Sequence, residues 1–217
     1  MERASEALQA TRIFECERLC LDALRIAHRG QDYERMARVL LPLQEARRLK
    51  RQRAADAGRI VQHESPDQAT SIEPGCVLMH PPRCVGADGR ALRERADKEE
   101  TPLIVVVREP ETSEGLWPIV AVGPATVRIR VEPPEELTPD WFLDVLEGLG
   151  DAAIESLNPE APASTRINQL MDRLTTAPDH ELLHQVLESA CREAIRVGPD
   201  RRHPKPPLDD DEEDDEI

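Results

Sequence analysis

Aromatic side chains are almost missing from this chain. Phe14, Tyr33, Trp117, Trp141 and Phe142 are the only five in 217 residues. Ala, Leu, Val and Ile must therefore fill the core, and stacking surfaces for bases or sugars are scarce. No uninterrupted apolar run reaches membrane length, and no charged-then-apolar leader opens the sequence, so a cytoplasmic protein is expected. The cysteine count of five is odd, and thiols rather than disulfides are expected. Basic charge is short too. The net charge is -15, and residues 209–216 are acidic without exception, which leaves about -7 for the rest. That sign argues against nucleic-acid binding, which draws on phosphate neutralisation by Lys and Arg.

What is present is a run of strand-forming segments. Residues 103–107 (Leu-Ile-Val-Val-Val), bounded by Pro102 and Pro110, predict a strand buried on both faces at the centre of a sheet. Residues 76–79 predict an earlier strand that Pro81-Pro82 ends, and residues 87–100 are helical in composition. Strand, helix and strand in that order imply two parallel strands joined by a crossover. Residues 119–122 and 126–131 predict a further pair around Gly123-Pro124. In the last, Arg128 and Arg130 alternate with Val127, Ile129 and Val131, as in an edge strand with one wet face.

Before the sheet, residues 4–57 read as two amphipathic helices broken at Arg29-Gly30-Gln31-Asp32. One stripe is Ile13, Cys16, Cys20, Ala23, Leu24 and Ala27. The other is Tyr33, Met36, Ala37, Leu40 and Leu43, on a helix that Pro42 is expected to bend. The pattern Leu24-x-x-Ala27-x-x-Gly30-x-Asp32-Tyr33-x-x-x-Ala37-x-x-Leu40 resembles the turn between the helices of tetratricopeptide repeats, in a single copy over about a quarter of the chain. The resemblance implies a unit that binds partners of many kinds and names no substrate. Two helices cannot hide both stripes, so the hairpin must pack on the sheet, on a second copy or on a partner.

Residues 58–74 are polar with little periodicity and read as a linker. Beyond Pro133-Pro134, Thr138-Pro139-Asp140 predicts a helix start, with Phe142, Val145, Leu146, Leu149 and Ala153 facing inward and Gly148 and Gly150 as points where it can split. Ile167, Leu170, Met171 and Leu174 mark another helix. Thr176-x-x-Asp179 resembles a capping box that opens a last one, closed by Gly198-Pro199. The organisation expected is therefore α+β: a helical hairpin over 1–57, a linker over 58–74, a mixed sheet with crossover and C-terminal helices over 75–197, and a disordered acidic tail over 198–217.

Three constellations could carry chemistry. His180-Glu181-Leu182-Leu183-His184 matches HExxH, whose spacing sets two imidazoles on one helical face as zinc ligands with the Glu beside them to activate water. Pro178 and Asp179 place it in a first helical turn, and beyond Cys191 on the same face no third ligand follows. The competing reading is a helix start with two partly exposed histidines. Cys84, five residues and then Arg90, between a strand and a helix, resembles the phosphate loop of cysteine phosphatases, in which backbone amides and the Arg hold phosphate and the helix end activates the thiol. Asp88 inside that loop opposes an anion, and Cys84 then reads as an ordinary loop thiol. Cys76, His80 and Cys84 match no common zinc spacing and lack a fourth ligand. Arg47, Arg48, Lys50, Arg51 and Arg53 form the one basic cluster, read either as a solvated helix end or as the contact for an acidic partner or for the chain's own tail.

Together these favour a non-enzymatic interaction or scaffold protein, contacting a protein partner or a second copy through the hairpin (Tyr33, Leu40) and the basic cluster, without cofactor. A phosphate-loop cysteine hydrolase and a zinc hydrolase stand as alternatives.

Overall fold

The structure, a computed structural model, describes residues 2–198. Three helices open the chain: α1 (Glu2–Gln9), α2 (Ile13–Arg29) and α3 (Tyr33–Asp56). The sequence predicts a single helix where α1 and α2 stand. The chain instead turns at Thr11, whose φ is +56°, and α1 folds back so that Ala4 and Ala7 are buried. Between α2 and α3 the left-handed residue is Gln31, with φ +52°. Asp32 then caps α3 by accepting the Arg35 N–H at 3.0 Å. The helix continues through Pro42 to Asp56.

A five-stranded mixed sheet follows, with strands in sequence order. The strands are β1 (Ile60–His63), β2 (Gly75–Met79), β3 (Leu103–Arg108), β4 (Trp117–Val122) and β5 (Thr126–Val131). β1, β2 and β3 run parallel, and β4 and β5 are antiparallel to their neighbours. α4 (Gly86–Lys98) is the crossover between β2 and β3, as the sequence predicts. β3 takes the centre and β5 an edge, with Arg128 and Arg130 exposed. Residues 58–74, expected to be a linker, are corrected by β1 and by a short 3-10 turn at Pro66–Gln68. Only Ile60 and Val61 of β1 are apolar, and both are half-buried at the other sheet edge. A four-residue strand of that kind leaves too little periodicity to read.

The sheet separates two cores. Cys76, Leu78, Ile104 and Val106 face the helical layer, and Val77, Met79, Val107 and Val120 face α4 with Ala69. Helix α4 can lie this close because of two glycines. A Cβ on Gly86 would stand 2.4 Å from Val122 and one on Gly89 would stand 2.1 Å from Val107. β3 and β4 pair only at Val107–Val120 and Arg108–Ile119, although each is six residues long.

Three helices complete the helical layer: α5 (Pro139–Glu155), α6 (Ala163–Thr176) and α7 (Glu181–Val197). Thr138 caps α5 as predicted, its Oγ1 accepting the Trp141 N–H at 3.2 Å. The helix is not split at Gly148 or Gly150. Thr176 ends α6 rather than opening α7, for which His180 is the cap. Both hairpin stripes are covered from within the chain. α7 packs along α3 and α3 lies across β2 and β3, so Leu24, Met36, Leu40 and Leu43 share one core with Leu183, Leu187 and Cys191. Of the coverings the sequence allows, packing within the chain is the one observed, so the stripes themselves do not require a partner. The predicted acidic tail lies outside the described residues, among which no helix is long and apolar enough to cross a membrane.

Candidate functional site

Helix α3 buries positions 36, 40, 43, 47, 50 and 54 in strict spacings of four and three. The middle of that stripe is charged, because positions 47 and 50 are Arg and Lys. Glu17 of α2 meets both: its Oε1 lies 2.8 Å from Arg47 Nε and its Oε2 lies 2.5 Å from Lys50 Nζ. Lys50 also reaches Asp97 of α4 at 2.9 Å. Burial alone would raise the pKa of Glu17, but Lys50 and Arg47 outweigh it and hold the carboxyl at about 2. Burial opposes the charge on Lys50 too, and Glu17 and Asp97 overcome it, so the ammonium pKa is raised. A buried charge of this kind persists only when it is paired and hydrogen-bonded.

The connection from Thr176 to His180 is bound into the same network. The Thr176 hydroxyl lies 3.1 Å from Ala125 O and accepts the Ala125 N–H at 3.4 Å, tying α6 to the β4–β5 turn. Arg47 Nη1 donates to Pro178 O at 3.4 Å. Arg51 Nη1 donates to Asp179 O and to Glu147, each at 2.8 Å, while its Nη2 meets Glu181 at 2.9 Å. His180 caps α7 with Nδ1, which accepts the Leu183 N–H at 3.3 Å. Its Nε2–H therefore faces outward, 3.2 Å from both Glu147 and Asp151. Gly150 makes room for this ring, since a Cβ there would stand 2.0 Å from His180 Cγ. One turn on, His184 Nδ1 lies 3.0 Å from His180 O and donates to it. Its Nε2 is left to accept from Arg47 at 3.3 Å. Burial and the Arg47 charge push the His184 pKa down to about 3, so the imidazole is neutral.

This geometry sets the HExxH residues in structural positions. His180 precedes the helix, so the two rings do not form the i, i+4 pair of a zinc-binding helix. All four ring nitrogens have protein partners. Both histidines are buried, not partly exposed: 2% of His180 and 1% of His184 is accessible. Glu181 faces Arg51 and Gln44. Cys191 lies in the core beneath α7. Among the described residues, no group of three His, Cys, Asp or Glu side chains is placed to hold a metal.

Cys84 and Arg90 are not brought together either. Cys84 Sγ is buried 3.4 Å from His63 O, and burial followed by Asp88 pushes its thiol pKa up, against the hydrogen bond from the His80 backbone. Asp88 occupies the mouth of the loop by accepting the Val85 N–H at 2.8 Å. Arg90 points along α4 to Glu94 at 2.7 Å. Cys76 and Cys84 lie in the cores on opposite faces of the sheet, while the His80 ring turns to Pro81 O at 2.9 Å.

The basic cluster is largely consumed inside the fold, which corrects its reading as a solvated helix end. Arg47 and Lys50 are buried, and Arg51 is held by Glu147 and Glu181. Arg48 is exposed beside Glu45 at 2.9 Å. Arg53 is exposed with no carboxylate within 4 Å among the described residues. Leu40 is buried, and Tyr33 half-lines a groove with the start of α6 and the end of α7.

A different surface opens on α2. Behind its buried stripe, Phe14, Arg18, Leu21 and Arg25 form a second face at spacings of four and three. That face lines two adjoining grooves of about 340 Å³ each, against the end of α4 and the turn that leads to β3. The sequence shows this face only as polar residues around two apolar ones, and the reading from stripes passes over it. No protein-family model, curated protein or solved structure matches the chain.

Proposed function

We propose that this is a non-enzymatic interaction protein of the cytoplasm whose contact surface is the outer face of α2. The observation that carries the reading is that α2 has two working faces. One is buried through Ile13, Cys16, Cys20 and Leu24. The other leaves Phe14 and Leu21 half-exposed in an elongated groove with Arg18 and Arg25 on its rim. Half-buried apolar side chains beside exposed cations suit a protein contact, with the apolar groups as anchors and the charges as rim. The tetratricopeptide-like turn fits this role, because a helical hairpin presents one helix while the other holds the body of the fold. The side chains with catalytic potential point elsewhere: Cys84, Arg90, His180, Glu181 and His184 all satisfy intramolecular partners.

A photo-reactive side chain placed at Arg25 tests the reading in cells, with Leu41, an exposed position on α3, as control. A discrete protein adduct from position 25 that disappears in the Phe14→Ala background is expected. Adducts of equal yield from both positions, or none from position 25, would overturn it.

A further inference from the structure

We propose that the α2 groove is built for an extended acidic segment and that the chain's own acidic run, residues 209–216, is its occupant. This rests on the reading of α2 as the contact face. Charge complementarity is the first support. Every carboxylate on the groove already faces a cation of the chain: Glu15 meets Arg12, Asp22 meets Arg25, Glu100 meets Arg18, and Glu17 and Asp97 meet Lys50. Arg53 and Lys98, both exposed on the groove lining, have no carboxylate within 4 Å among the described residues. In a chain of net charge -15, this places one uncompensated cation on each of the two adjoining grooves.

Reach is the second support. The last described residue, Gly198, lines a groove together with Tyr33, the first residue of α3. Gly198 thus stands near the α2–α3 turn. Arg25 stands five residues before Gly30, about 7.5 Å along the helix axis, and the face from Arg25 back to Arg12 is about 20 Å long. Residues 199–208 can span at most about 35 Å, which is enough to pass the turn and arrive at Arg25. Eight extended residues then cover about 27 Å, more than the length of the groove. Apolar matching is the third support. The acidic run is followed by Ile217, and the groove contains Phe14, Leu21 and Pro102. The acids would meet Arg53 and Lys98, and occupancy would compete with any acidic partner segment.

The sequence supplies a clean chemical test, because Lys50, Lys98 and Lys205 are its only lysines and Lys50 is buried. Zero-length carbodiimide coupling of the full chain at low salt, followed by peptide mass spectrometry, reads which amine touches residues 209–216. A bond from Lys98 is expected, with Lys205 as the internal positive control. Its yield should fall about fivefold or more at 1 M salt, where the Debye length is about 3 Å, and again in Arg53→Glu. Coupling to Lys205 without Lys98, or a Lys98 product indifferent to salt and to Arg53→Glu, overturns the proposal. Mixed isotope-labelled and unlabelled chains place the contact: a labelled–unlabelled adduct would mean a second copy and overturn the assignment to the same chain. If Lys98 fails to couple while the Arg25 photo-adduct persists, the groove is a contact face with another occupant. Loss of the photo-adduct with Lys98 coupling intact would remove the external partner alone.

Discussion

Arg47 Nη1 stands 3.3 Å from His184 Nε2 in the layer between α3 and α7. A guanidinium can only donate, so the imidazole must accept and remain neutral. Its other nitrogen is held by the carbonyl of His180, which fixes the tautomer. Because the folded pKa of about 3 lies below the ordinary His value, the unfolded chain binds a proton here that the folded chain refuses. Stability should therefore fall as pH drops from about 6.5 towards 3, with a limiting slope of about 1.4 kcal/mol per pH unit from this group. Glu17, held at about 2, acts in the same direction at lower pH, its contribution being lost as pH falls from about 4.5 through 2. Urea unfolding of the parent and of His184→Gln at pH 7 and pH 5 separates the histidine from other groups. The parent should lose more stability over that interval, and equal losses would mean that His184 is not the linked group.

The Glu17 carboxylate offers a second measurement. In Glu17→Gln, Arg47 and Lys50 keep their charges and lose the buried partner they share, which should cost about 3–5 kcal/mol. Glu45→Gln, which removes an exposed partner of Arg48, should cost less than about 1 kcal/mol. Replacing Glu17, Arg47 and Lys50 together by Leu or Met should recover part of the first loss, since the one carboxylate then left without its partner, Asp97, is partly exposed. Equilibrium urea curves on the three variants decide it, and a Glu17→Gln midpoint close to the parent's would show that the triad is weakly coupled to folding.

Four of the five strands were readable because their signals are local. Residues 103–107 are apolar throughout since β3 is covered on both faces, and the Arg128/Arg130 alternation follows from β5 lying at an edge. The charge network was not readable, although part of its signal was there. Arg47 and Lys50 continue the four-three spacing of Met36, Leu40 and Leu43, and Ala54 ends it. Charges on an apolar stripe are as much a mark of burial as of a helix end. What no spacing could supply is the partners: Glu17, Asp97, Glu147 and Glu181 come from four other helices. The same holds for HExxH, whose meaning changed because Glu147 and Asp151 on α5 take the His180 ring. The α2 groove depends on where the end of α4 lands, which is a tertiary fact.

The two glycines of α5, expected to divide the helix, give opposite outcomes on substitution. Ala at an interior helical position ordinarily gains about 1 kcal/mol over Gly. At Gly148 the nearest group is the tip of Ile129, 3.2 Å from the new Cβ, and a small rotation accommodates it. Gly148→Ala should be neutral or stabilising. At Gly150 the Cβ would enter the His180 ring and push the α7 cap from Leu183, so Gly150→Ala should cost about 1–3 kcal/mol. Thermal unfolding of the pair tests this. A Gly150→Ala protein as stable as Gly148→Ala would show that His180 can leave its place freely.

The last prediction concerns the thiols. All five cysteines are buried, and burial pushes Cys20 and Cys191 up to about 12 and Cys76 to about 11. Cys84 is the decisive one, since it stands just before the head of a helix and in the phosphate-loop pattern, where an active thiol could be made. Helix α4 begins two residues later at Gly86, and the positive end of a helix normally favours a thiolate. Here that end is already occupied by the Asp88 carboxylate on the Val85 N–H. The sulfur is turned to His63 O, which stabilises the thiol over the thiolate. Arg90, the cation of the phosphate-loop pattern, is engaged with Glu94. Alkylation of the native protein near neutral pH should therefore be slow at every cysteine, and Cys84 should react no faster in Asp88→Asn than a several-fold gain. Phosphate or vanadate should leave the rate unchanged. Rapid labelling of Cys84 that either anion blocks would mean that the loop rearranges into an anion site in solution, and would return the cysteine hydrolase to consideration.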